Sequence, residues 1–250
     1  MNLKNNLFYL AFAGLLLSFL ACNNEQTSSQ DNATTLNFVA TYDGQPLVMF
    51  QPVTFDQNTL KLSKVKLYVS NIRLLKTDGS EVGNSVTSLA NLSAYDKAEA
   101  EKGVNIAATG VPNGNYTGVR FGIGVRSDEN AKKPADYPDN SALSDSDMYW
   151  NSWNSFIFSK TEGTLETSNG LAYFSYHTGA NRYYREVTLK QDFQKSENSP
   201  PLKISFDVAK ILQNGSEKVD ILSHPGAHSS RDTVVSVFIT NQYQNAFEWK

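Results

Sequence analysis

The sequence predicts an all-β protein: a single-domain, antiparallel β-sandwich with few short helical turns. Three observations predict it. Apolar and polar residues alternate with period two in one segment after another, as half-buried strands require. The segments are short and recur with Gly and Pro between them, the spacing of a sandwich or barrel. Helix signals are scarce, and no internal repeat is visible, which argues against a propeller.

The elements follow in order. Residues 36–42 put Leu36, Phe38, Ala40 and Tyr42 on one face. Residues 60–69 repeat the pattern, with Lys61, Lys64 and Lys66 directed to water, and residues 71–76 continue it to a turn at Asp78-Gly79. Residues 84–92 add one or two short strands, and residues 94–102 read as a short helix or turn. Val111-Pro112-Asn113-Gly114 is a turn signal feeding residues 117–125, where Val119, Phe121, Ile123 and Val125 share a face. Three glycines in that strand predict a bulge or a chain passing close. Later strands are expected at 155–160, 171–177, 182–189, 202–208 and 234–238, with one helical turn at 208–212. Residues 231–249 are ambiguous, with an end that reads equally as helix. Residues 127–146 form a long polar loop with five acidic residues, and a loop of that length in a compact domain is either functional or mobile.

The N-terminus carries a different pattern. Lys4 precedes an apolar run at 7–20, then Ala21-Cys22 and polar Asn23, Asn24 and Glu25. That is a secretory leader. A small residue immediately before the only cysteine resembles a bacterial lipoprotein signal, in which the cysteine is lipidated and begins the mature chain. The expected organisation is a leader over residues 1–21, lipidated Cys22 with a flexible polar tether over 22–35, and the sandwich domain over 36–250. The expected location is the outer membrane, facing the periplasm or the cell surface. With Cys22 used as the anchor, no thiol remains for a disulfide, a Cys-x-x-Cys metal site or a nucleophile. A formal net charge of -3 without a basic cluster argues against nucleic-acid binding.

Chemistry concentrates around one stretch. Residues 147–158 are rich in aromatics and hold Tyr149, Trp150 and Trp153, two of the chain's three tryptophans. A strand ending Tyr176-His177-Thr178-Gly179 follows. Oxidisable aromatics close to one of only three histidines fit either a metal site or a dense sandwich core. Trp150 and Trp153 face opposite sides if the segment is a strand, unless a bulge intervenes. His177 stands at the rim of the sandwich, where a neutral imidazole serves equally as a copper or zinc ligand or as a partner of turn backbone. His224 and His228 are four apart, but Pro225-Gly226 between them forbids a regular helix, so only a bent loop presents both rings. Asp145-Ser146-Asp147 offers oxygens for calcium without the spacing of the helix-loop-helix calcium site. No Gly-x-Ser-x-Gly elbow or phosphate-binding loop is present, and the expectation is a protein without catalysis.

Residues 67–74, residues 119–125 with Asn130, Met148-Tyr149-Trp150 with Trp153, and residues 174–179 with His177 together resemble the MbnP-like bacterial extracytoplasmic proteins. The likeness spans residues 36–247. It implies an antiparallel β-sandwich and, for the copper-binding branch, a partner of the dihaem peroxidase type. In that branch a tryptophan is oxidised to kynurenine and joins histidines at copper. The resemblance also implies an Asn-His pair after the strand at 119–125. Here Ala131 follows Asn130, so the first ligand is missing, while His177 matches the second. Copper is the expected ligand, with His228 or His224 as substitutes if the C-terminal loop folds back. A metal-free adhesin or glycan-binding module is the alternative, with Tyr149, Trp150, Trp153 or Tyr183-Tyr184 as stacking platforms.

Overall fold

A computed structural model describes residues 33–228 and 233–250. The leader, Cys22 and nearly all of the expected tether lie outside the described residues. Among the described residues no helix is long and apolar enough to cross a membrane.

Two sheets stack face to face. The first is built on β1 (Thr34–Tyr42), which pairs antiparallel with β3 (Val104–Ala108) and parallel with β8 (Leu202–Asp207); β8 in turn pairs with β10 (Phe247–Trp249). The second has the order β7 (Arg185–Lys195), β4 (Gly114–Ile123), β2 (Asn58–Lys76), β5 (Ser155–Thr167), β6 (Gly170–Gly179) and β9 (Gly226–Ala227). Its main strands are antiparallel, and only the two-residue β9 runs parallel, at the edge beside β6.

The core lies where the inward rows meet. Leu36 and Phe38 of β1 and Ile204 and Phe206 of β8 face Leu60, Leu62, Val119, Phe121 and Ile123 of the larger sheet, all essentially inaccessible to water. Phe38 and Phe247 both meet Phe121 edge-on with centroids 5.3 Å apart, and Phe206 stacks on Phe247 at 4.7 Å. Gly118, Gly122 and Gly124 mark close approaches as expected: a Cβ at Gly122 would collide with the Tyr184 ring. Lys61, Lys64 and Lys66 of β2 do point outward, but simple alternation does not put them there. Lys64 pairs with Glu162 and Leu62 with Gly163, so Ser63 is an extra residue. This bulge resets the alternation and lets Lys61 and Lys64, three apart, share the outer face.

The C-terminal segment differs from the expected strand at 234–238. Residues Thr233–Ala246 form the longest helix among the described residues, α4, and β10 follows it. Tyr243 explains the choice: its ring is buried against Phe206, and its hydroxyl lies 2.7 Å from Ser159 Oγ and 3.4 Å from Thr178 Oγ1. Tertiary burial outweighs the strand preference of the Val- and Ile-rich run. The other helices are short: α1 (Lys97–Lys102), capped by Asp96, α2 (Ser127–Asn130) and α3 (Val208–Leu212), capped by Asp207.

The polar segment 127–146 is an ordered cap, made of α2 and short turns. Leu143, Met148 and Tyr183 bury against Tyr68, Phe156 and Phe158 as a second apolar cluster. Asn130 clamps it to the sheet: its Oδ1 accepts from Phe156 N (2.8 Å) and Ser155 Oγ (3.2 Å), and its Nδ2 donates to Asn181 Oδ1 (2.8 Å).

Candidate functional site

The site lies on the outer face of the larger sheet, near its β9 edge. Side chains alternate along β6, so Phe174, Tyr176 and Thr178 enter the core while Ser175 and His177 face out. A two-residue turn at Ser168-Asn169 joins β5 to β6 and sets the register: Thr167 opposes Gly170, and counting back puts Glu162 opposite Ser175 and Lys160 opposite His177. On the far side of β5, Glu162 opposes Lys64 and Lys160 opposes Lys66. Two outward rows result, Lys64–Glu162–Ser175 and Lys66–Lys160–His177. The parallel pairing of Ser175 with Gly226 and Tyr176 with Ala227 carries the chain on to His228 beside His177. The two imidazole centroids are 4.8 Å apart at 74°.

The aromatic segment covers this face. Tyr149 and Trp150 pair with Phe156 and Ser155, and the residues between them fold into a tight turn. Trp153 N donates to Trp150 O (3.1 Å), and Asn154 takes a positive φ of 49°. The turn is the interruption of a regular strand that lets Trp150 and Trp153 lie on one side, stacked at 4.5 Å and 25°. Trp150 also leans on both imidazoles, with centroids 5.5 Å from His177 and 5.3 Å from His228. Gly179 makes room, since a Cβ there would approach Phe156 O at 2.8 Å and the Trp153 ring at 3.3 Å. Trp150, Trp153 and Tyr149 are half-buried, and Tyr183 is buried, so the rings proposed as open stacking platforms are engaged within the fold.

Ion pairs hold the cover down. Lys160, nearly buried, places Nζ 2.6 Å from Asp147 O and 3.0 Å from Asp147 Oδ1, and Lys66 reaches Asp147 Oδ2 at 3.3 Å. The bond from Lys160 lowers the Asp147 pKa below the usual carboxylate value. Asp145 Oδ1 accepts from Asp147 N as a turn cap. The carboxylates read as calcium donors thus serve a cap and two lysines.

Beneath the tryptophan, His177 has only 13% of its side chain exposed. Its Nε2 lies 2.7 Å from Glu162 Oε1 and 3.1 Å from Ser175 Oγ, while Nδ1 is buried with no hydrogen-bond partner among the described residues. Glu162 Oε2 is 3.4 Å from Lys64 Nζ. The hydrogen bond with His177 lowers the Glu162 pKa to about 2, helped by the Lys64 charge and opposed by desolvation.

The structure therefore joins His177, His228 and Trp150. It does not bring in His224, which is exposed and contributes its carbonyl to the Tyr176 hydroxyl at 2.9 Å. The alternation of Lys160 and Glu162 with Ser175 and His177 across the Ser168-Asn169 turn is the signal that points to Glu162, which the sequence reading passed over. Among the described residues no group of three or more His, Cys, Asp and Glu is arranged to hold a metal ion. The donor set is two imidazoles walled by an indole.

The MbnP family model matches residues 31–229 of this chain. Among solved structures, MbnP from Methylosinus trichosporium is similar with a TM-score of 0.52 and 15% identity, covering 73% of this chain and 78% of that one. No curated protein sequence matches.

Proposed function

Since this chain belongs to the MbnP family, we propose that it is a non-catalytic, extracytoplasmic copper-binding protein whose site is the His177–His228 pair under Trp150. One observation carries the reading. Two of only three histidines, 51 positions apart, meet on one face, and His177 keeps a buried ring nitrogen that no described group satisfies. A buried polar atom without a protein partner is uncommon and calls for an explanation. Neutral imidazole suits copper, and the low exposure of His177 limits competition from water.

The family's Asn-His pair does not supply this site. Asn130 is buried as a structural clamp, and Ala131 follows it on the surface. In the proposed arrangement His228 replaces the missing ligand from the other side, carried by β9. A two-imidazole site holds the metal with fewer protein donors than the four usual for a closed structural site. It therefore binds more weakly and releases the metal more readily.

The leader and Cys22 support a lipid-anchored protein of the outer membrane, and the family resemblance supports a dihaem peroxidase partner. Copper titration and mass spectrometry on the wild type, His177→Ala and His228→Ala test the central reading. One equivalent bound by the wild type and at least tenfold weaker binding in each variant is the expected result. Unchanged affinity in both variants, or no uptake by the wild type, removes it. Metabolic labelling with a fatty acid, abolished in Cys22→Ser, tests the anchor, and co-purification with dihaem proteins tests the partner.

A further inference from the structure

We propose that Glu162 is the positioning residue of this site: it holds the proton of His177 on Nε2 and so makes Nδ1 the metal-ligating atom. The inference rests on the copper reading for its second half only. The first half concerns the metal-free protein.

An ionised carboxylate accepts hydrogen bonds and donates none. Glu162 lies 2.7 Å from His177 Nε2, so that nitrogen must carry the hydrogen. Lys64 stands on the other side of the same carboxylate, 3.4 Å from its second oxygen, and favours the ionised form. Ser175 Oγ, 3.1 Å from Nε2, sits on the same side of the ring and adds a second acceptor. A neutral imidazole with a hydrogen on Nε2 has its lone pair on Nδ1. Nδ1 is the buried nitrogen that has no hydrogen-bond partner among the described residues.

The sheet keeps this arrangement rigid. Glu162 and His177 sit on adjacent antiparallel strands as a diagonal pair, two residues from direct opposition and on the same face, so their separation is set by the backbone ladder of β5 and β6. Lys64 is directly opposite Glu162 on β2, beside the Ser63 bulge. Without that bulge Lys64 would face the core, and the carboxylate would lose its cation. A carboxylate that hydrogen-bonds the far nitrogen of a ligating histidine orients the ring and raises its basicity, and its loss typically costs about 10–100-fold in metal affinity.

With only three histidines in the chain, the ring nitrogens can be assigned directly. The experiment is two-bond proton–nitrogen NMR on protein labelled with 15N-histidine at pH 8, for wild type, Glu162→Gln and Glu162→Leu. The His177→Ala spectrum identifies the signals of that ring. Wild-type apo protein is expected to show His177 as the Nε2–H form. Glu162→Gln keeps an acceptor and is expected to retain that form. Glu162→Leu removes the acceptor and is expected to give a mixture of the two neutral forms. Adding one equivalent of Cu(I) anaerobically should shift Nδ1 of His177 in the wild type, with affinity at least tenfold lower in Glu162→Leu and largely restored in Glu162→Gln. An apo His177 protonated on Nδ1 overturns the inference and leaves the copper reading standing. The expected Nε2–H form with no copper-induced change at any histidine overturns the copper reading, and with it the ligand role assigned to Nδ1. Copper binding through Nε2 overturns the inference alone.

Discussion

The two faces of β6 differ in chemistry although their residues alternate along one short strand. Inward, Phe174, Tyr176 and Thr178 are nearly or fully buried and belong to the sandwich core. Outward, Ser175 and His177 join Lys64, Glu162, Lys66 and Lys160 in a polar patch roofed by tryptophan. The inner face is held by area removed from water, a non-directional effect that tolerates exchanges of similar volume. The outer face is held by directed bonds between charges, where loss of one partner leaves the other exposed to a poor environment. Stability and binding should therefore be separable by face.

The largest effect tests the inner face. Phe121, in the larger sheet, meets two rings of the smaller one, and Phe121→Ala is expected to lower stability by about 3–5 kcal/mol through a cavity the core cannot fully close. Urea unfolding measures the loss. Copper affinity measured on the folded fraction should stay within a few-fold of wild type. A drop as large as that of His177→Ala would show that the faces are not independent.

A clamp between the two regions comes next. Asn130 Oδ1 accepts from the buried Phe156 N–H at the start of β5, just where the tryptophan turn rejoins the sheet. Asn130→Ala leaves that N–H without its acceptor, at a cost of about 1–3 kcal/mol. Because the clamp also holds the cover, this variant should lower stability and change Trp fluorescence together. An unchanged emission spectrum would separate the clamp from the cover.

The inner face was legible in the sequence and the outer face only in part, for physical reasons. Alternation at Val119, Phe121 and Ile123 reports burial directly, because a strand's side chains have a fixed period. The outer patch depends on which strands lie side by side. His177 stood out by its rarity and Trp150 by its size, but their contact needs the tight turn at residues 151–154. The partnership of His177 with His228 needs a two-residue parallel pairing, which leaves almost no periodic signal. Glu162 was accessible through the Ser168-Asn169 turn, since a two-residue hairpin sets the opposite pairs along its arms, here as far as Ser159 and Thr178. The segment Thr233–Ala246 misled for another reason. Its Val, Ile and Thr residues favour strands, and the burial of Tyr243 decided otherwise. The long polar segment 127–146 gave no hint that Leu143 and Tyr137 would anchor it, because its few apolar residues follow no period.

A pH titration sharpens the comparison at the outer face. Glu162 has a folded pKa of about 2 against 4.5 for the free group. A depressed carboxylate contributes stability that is fully present above its unfolded value and lost as pH falls through the folded one. The stability difference between wild type and Glu162→Gln should therefore be constant above pH 4.5, at most about 3 kcal/mol, and should fade between 4.5 and about 2. Denaturation at fixed pH values across that window measures it. A difference that persists undiminished at pH 2 would mean the carboxylate acts by shape and not by charge.

The smallest effect distinguishes the site from ordinary charge on the same sheet. Lys61 and Glu166 also pair between β2 and β5, at 3.8 Å, but their side chains are 41% and 60% exposed. Water screens such a pair and side-chain entropy opposes it, so Lys61→Ala should change stability by less than about 0.5 kcal/mol and vanish into noise at high salt. Lys64→Ala removes a cation from the same pair of strands, yet its partner Glu162 is largely covered and bonded to His177. Its effect should be the larger of the two, and it should appear in the copper titration as well as in urea, because the carboxylate that orients His177 has lost its counter-charge. If Lys61→Ala and Lys64→Ala behave alike in both measurements, the patch is only another charged strand surface, and the order seen around His177 confers nothing beyond it.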